Sequence, residues 1–142
     1  MERSKRLSLV LELAKRAEEE AARLFASSKN QLQQQESKLN ELEQYYQDYT
    51  LLFSARNQAL RAIEVARSRQ LLQQLSNVKK DQQIHIAKAL ANMEAHKRVW
   101  QQAHLKHQNM KALIQRYRME ENQLVDKKEQ KIIDEWVTQR RS

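Results

Sequence analysis

Residues 25–63 read FASSKNQLQQQESKLNELEQYYQDYTLLFSARNQALRAI, and the periodicity of this stretch decides the fold. Steps of seven from Phe25 land on Leu32, Leu39, Tyr46, Phe53 and Leu60, so all six positions are large and apolar or amphipathic. Steps of seven from Ser28 land on Gln35, Leu42, Tyr49, Arg56 and Ile63, and three of these six positions suit an apolar seam. A sustained seven-residue repeat draws a stripe along one side of a helix. That stripe must be buried against another helix.

Composition leaves little room for anything but long helices. The 142 residues contain no glycine, proline or cysteine, so the usual helix breakers and turn formers are missing. Disulfides and thiolate metal sites are excluded, which fits a reducing compartment. Charged residues make up 31% and aromatics 6%, a balance that suits solvent-exposed helices and could not fill a thick core. Leu7 to Leu13 follows Arg3, Lys5 and Arg6 and faintly imitates a signal peptide. Glu12 interrupts that run, Lys15 and Arg16 close it, and no small-residue cleavage site follows. The longest apolar run is far short of the roughly 20 residues that span a bilayer. The expectation is a soluble, cytoplasmic protein.

Toward the N-terminus the seam thins. Leu7, Ala14 and Ala21 are spaced by seven, as are Val10, Ala17 and Leu24. The step from Ala21 to Phe25 reads as a four-residue stutter, which relaxes supercoiling without ending the helix. Glu18, Glu19 and Glu20 read as a solvated face.

Toward the C-terminus a bend is required, because one unbroken helix would leave its stripe without a partner. Ser54 to Asn57, Ser68, and Ser76 with Asn77 are the candidate breaks, since Ser and Asn cap helices and form turns. The expected organisation is one coiled-coil domain over 1–142, with a helix at 3–53, a bend and short helix at 54–67, and a helix at 68–138. The second helix has its own seam: Ile86, Met93, Trp100, His107, Ile114 and Glu121 on one line, and Ala89, His96, Ala103, Met110, Tyr117 and Leu124 on the other. The register then moves to Val125 and Ile132, followed by Ile133 and Trp136, as a second stutter. The fold class is all-α: a long antiparallel two-helix coiled coil with a short helical connection at the bend. The Phe25 stripe is expected to pair with the Ile86 to Leu124 stripe of the same chain. A parallel dimer with one long helix per chain stays open as the alternative.

Charge is uneven. Residues 1–60 are balanced, residues 61–118 carry 12 basic and 3 acidic residues, and residues 119–142 carry 5 and 6. Such a basic block suits an acidic partner. Arg67, Arg69, Lys79, Lys80, Lys97 and Arg98 could neutralise phosphates, which makes a nucleic-acid-binding coiled coil the alternative function. The cations are spread around the helix, however, and no basic region precedes a parallel zipper.

Chemistry has few footholds. His104 and His107 are three apart and could share a helix face, with His85 and His96 upstream. The nearest carboxylates in sequence are Glu94 and Glu120, and no Glu-x-x-His motif completes a metal site. No phosphate loop, nucleophile elbow or carboxylate pair in an apolar setting is present. The reading is therefore no enzyme, no metal, no cofactor and no small-molecule substrate.

Several features in order resemble the flagellar export proteins called FliJ. They are Ala21 to Leu24 (Ala-Ala-Arg-Leu) in an acidic helix, and a Gln-rich stretch closing in Tyr45, Tyr46 and Tyr49. A central Trp100, then Leu113 and Arg116, and a final Asp134, Glu135 and Trp136 with Arg140 and Arg141 complete the set. The resemblance covers nearly the whole chain. It implies an antiparallel coiled coil similar to the central stalk of rotary ATPases, serving the flagellar type III export apparatus at the cytoplasmic face of the inner membrane. It implies docking into the hexameric export ATPase, FliI, through the two chain ends, here Arg3, Lys5, Arg6, Asp134, Glu135 and Trp136. It implies contact with the export gate, FlhA, through two large apolar residues four apart after the bend. By spacing back from Trp100 these are Leu71 and Leu75, which could equally begin the second helix's seam. Some members also handle empty export chaperones.

Overall fold

The chain folds as a helical hairpin of two long helices packed against each other. The computed structural model describes residues 2–56 and 61–141, and among them there is no strand. Helix α1 is Glu2–Arg56 and helix α2 is Ala62–Arg141. Asn57 and Leu60, named above for the bend and the stripe, lie outside the described residues.

Side chains that usually favour turns are absorbed into the helices. The hydroxyls of Ser8, Ser28, Thr50, Ser68 and Thr138 donate to the carbonyls of Lys5, Phe25, Tyr46, Glu64 and Asp134, three or four residues back. A hydroxyl satisfied in this way does not compete for the helix's own ladder. Ser68 is the instructive case. The expectation of a short helix over 54–67 and a new one from 68 is corrected: α2 is already helical from Ala62, and Ser68 lies within it. The first turn of α2 closes with the Val65 amide donating to the Arg61 carbonyl at 3.0 Å. Glu64 in that turn and Arg140 and Arg141 in the last complement the helix dipole.

The chain forms two compact units: Met1–Ala22 with Val99–Ser142, and Arg23–Arg98. In the Arg23–Arg98 unit, Thr50, Phe53 and Ser54 of α1 line one groove with Val65, Ser68 and Leu72 of α2. Gln82 donates through Nε2 to the carbonyl and the side-chain oxygen of Gln35, at 2.9 and 2.7 Å. The Tyr46 to Phe53 end of the stripe is therefore partnered by the first turns of α2, which the expected pairing with Ile86 to Leu124 left out. The reason is the early start of α2 at Ala62, which brings its first turns back along α1 at once.

Burial also revises the register at the chain start. Two heptad lines run through α1 without interruption: Ser4, Leu11, Glu18, Phe25, Leu32, Leu39, Tyr46 and Phe53, and Leu7, Ala14, Ala21, Ser28, Gln35 and Leu42. All are buried or half-buried. Val10, Ala17 and Leu24 are exposed, so the expected stutter between Ala21 and Phe25 does not exist. In α2 the lines Val65, Leu72, Lys79, Ile86, Met93, Trp100, His107, Ile114, Glu121 and Ser68, Leu75, Gln82, Ala89, His96, Ala103, Met110, Tyr117 are likewise buried or half-buried throughout. A seam between only two helices covers each side chain incompletely. Among the described apolar residues only Ala14, Ala21 and Ile114 are fully buried, beside the polar Ser4, Ser28, Gln82 and His107.

Candidate functional site

Two kinds of feature stand out on this frame: polar side chains inside the seam, and apolar side chains outside it.

The first is clearest in the unit formed by the two chain ends. Glu18 occupies a seam position of α1 and reaches across to α2. Its Oε1 accepts from Nδ1 of His104 at 2.8 Å, and its Oε2 accepts from Nδ1 of His107. His104 and His107 are one turn apart, so both rings address the same carboxylate. Trp100, one turn before, stacks on His104 with centroids 5.4 Å apart. The His104 hydrogen bond foremost, and then that of His107, holds the Glu18 carboxyl below its usual range, against the opposing effect of desolvation. Sequence reasoning missed this constellation because it sought a carboxylate near the histidines along α2. The signal was present: seven residues back from Phe25 is Glu18, and seven more is Leu11. A metal reading gains nothing from it, since among the described residues no group of three or more His, Cys, Asp or Glu is arranged to hold an ion.

A second polar layer lies nearer the chain start. The Ser4 hydroxyl donates to Oε2 of Glu121 at 2.9 Å, and the Ser4 amide donates to Oε1 at 3.4 Å. The Arg3 guanidinium stands over the Tyr117 ring, 5.6 Å from its centroid. Arg3, Lys5 and Arg6, expected at a docking tip, are all exposed here.

Beyond this layer every described residue of α2 is exposed. Leu124, expected in the seam, is 59% exposed, and Val125, Ile132, Ile133 and Trp136 do not continue the seam as a shifted register would require. They lie past the level at which α1 offers cover. Arg140 stands over the Trp136 ring at 4.0 Å, and Asp134 accepts from Gln130 at 3.0 Å, both within α2. The expected tip residues are therefore not brought together. Asp134 lies 13 residues past Glu121, the partner of Ser4, or about 20 Å along the helix at ~1.5 Å per residue.

In the Arg23–Arg98 unit, Leu71 and Leu75 are both half-buried. Leu75 lies on a seam line with Ser68 and Gln82, and Leu71 sits beside it. Tyr46 packs under the Lys79 ammonium at 4.7 Å from its ring centroid, which ties one of the basic residues into the seam. Tyr49 is on the rim and stacks on Phe53 at 5.9 Å. Among the described residues at the end of α1 and the start of α2, Leu51 and Ile63 are the most exposed large apolar ones. No described helix is long and apolar enough to cross a membrane.

No curated protein and no solved structure matches the chain. The family model described as "Flagellar FliJ protein" matches residues 3–142, nearly the whole length. The chain belongs to the FliJ family and is a component of the flagellar type III protein export apparatus.

Proposed function

We propose that the chain is a stalk-like interaction hairpin that docks on the hexameric export ATPase, FliI, at the end carrying Asp134, Glu135 and Trp136, and that engages the export gate, FlhA, through Leu71 and Leu75. The observation that carries the reading is the terminal part of α2, a helix end with an exposed apolar stripe and no covering helix. A soluble helix keeps such a stripe bare only at a cost unless a partner covers it. Arg3, Lys5 and Arg6, exposed at the level of the Ser4 and Glu121 layer about 20 Å back along α2, add a second set of contacts to the same partner. Leu71 and Leu75 sit half-covered on the first turns of α2, where a partner can complete their burial. In this reading the protein performs no chemistry itself. It associates peripherally with the membrane-bound apparatus, and family members that escort export chaperones add a further partner class.

ATP turnover by the hexameric export ATPase tests the reading. Added wild-type chain should raise the turnover rate, and Trp136→Ala should lose most of that increase while keeping full helicity. Equal stimulation by the two proteins would remove the α2 end from the docking surface.

A further inference from the structure

The terminal stripe of α2 carries a pattern that the docking reading does not use. Positions 125, 129, 132 and 136 follow alternating four- and three-residue steps and so share one side of the helix. Val125, Ile132 and Trp136 there are 44, 65 and 54% exposed, and Glu129 interrupts them. Among the flanking charges, Lys127, Lys128 and Lys131 outnumber Asp126 in the first half, and Asp134 and Glu135 stand just before Trp136, with Arg140 and Arg141 beyond it. All of these are exposed.

We propose that this segment is a self-association surface whose occupant is the same segment of a second copy, running antiparallel. Val125 then meets Trp136 of the other copy, and Glu129 lies beside Ile132 rather than against its own equivalent. Lys128 and Glu135 each stand one residue before a stripe position, on the same flank. Such equivalent flanking positions face each other across an antiparallel helix pair, and the two-fold axis repeats the Lys128 to Glu135 pairing twice. A parallel pair fails on the same residues. It sets Glu129 against Glu129 in the seam and gives Lys128 no acid opposite. The contact closes at two copies, because each surface is its own complement. The stripe from Val125 to Trp136 spans only about 17 Å. The association is accordingly weak, with a Kd on the order of tens of micromolar.

The pairing concerns the free chain and does not rest on the ATPase reading, although it covers Trp136 and so would compete with docking there. Sedimentation velocity of the full chain, from about 1 to 500 µM at low salt, tests it with no other protein present. Wild type should show a monomer–dimer equilibrium. Lys128→Glu alone and Glu135→Lys alone should each weaken it about tenfold, and the two together should restore it to within about threefold of wild type. These are exposed helix positions, so circular dichroism should stay unchanged. A wild-type chain that stays monomeric throughout would overturn the proposal. So would a dimer indifferent to the single reversals, or a double variant no better than either single one.

Discussion

His107 of α2 hydrogen-bonds to Glu18 of α1, although 89 residues separate them in the chain. His104 bonds to the other oxygen of the same carboxylate. The packed seam thus contains a charge held by two imidazoles where a coiled coil would ordinarily place aliphatic side chains. Polar groups in a seam cost stability and fix which residues lie opposite which. The Gln35 with Gln82 and Ser4 with Glu121 layers act in the same way at other levels.

Glu18 makes part of the stability pH-dependent. Its carboxyl titrates below the ordinary carboxylate range, so its contribution is fully present above that range and is lost as pH falls through the folded-state value. Glu18→Gln should therefore lower stability by about 1 kcal/mol at pH 7, a figure reduced for the partial exposure of His104. As pH falls through the lowered folded-state value of Glu18, the variant and wild type should converge. Thermal melts across this range, followed by circular dichroism, check both points. A gap that widened in acid would contradict the assignment.

Ile114 is 2% exposed and is the one large apolar side chain fully buried among the described residues. Ile114→Ala should cost about 2–4 kcal/mol in urea unfolding. Leu124→Ala, on the same helix but 59% exposed, should cost less than about 0.5 kcal/mol. The expected seam treats these two positions alike, so the difference between them measures where α1 stops covering α2.

Gln82 is buried and spends both described contacts on Gln35. Replacing both by leucine should stabilise the hairpin by about 1 kcal/mol, since apolar contact replaces a polar layer. It should also raise the tendency to form larger assemblies, because an all-leucine layer no longer distinguishes its own partner from another chain's. Urea unfolding and light scattering read the two effects separately.

Much of the fold is legible in residue spacing alone. Phe25, Leu32, Leu39 and Tyr46 announce one helix, and Ile86, Met93, Trp100 and Ile114 announce the other. The missing glycine and proline say that little breaks them. What spacing conceals is the seam's polar membership. Val10, Ala17 and Leu24 are apolar yet exposed, while Ser4 and Glu18 are polar yet covered, because Glu121, His104 and His107 wait opposite. Hydrophobic periodicity weighs a residue by its own character, and these positions are decided by a partner about a hundred residues away. Ser68 misleads similarly: it suggests a break until its hydroxyl is seen bonded to Glu64. The apolar residues beyond Glu121 look like more seam, and only the end of cover from α1 shows them to be surface.

In the proposed function the hairpin carries two separable partner surfaces, one on the terminal turns of α2 and one on its first turns. Binding of the ATPase and of the gate's cytoplasmic domain, measured in parallel on the same variants, tests it most directly. Trp136→Ala should weaken ATPase binding at least tenfold and leave gate binding intact. Leu71→Ala with Leu75→Ala should do the reverse, at unchanged helicity. If each variant set impaired both partners equally, or neither, the assignment of two distinct surfaces would be contradicted.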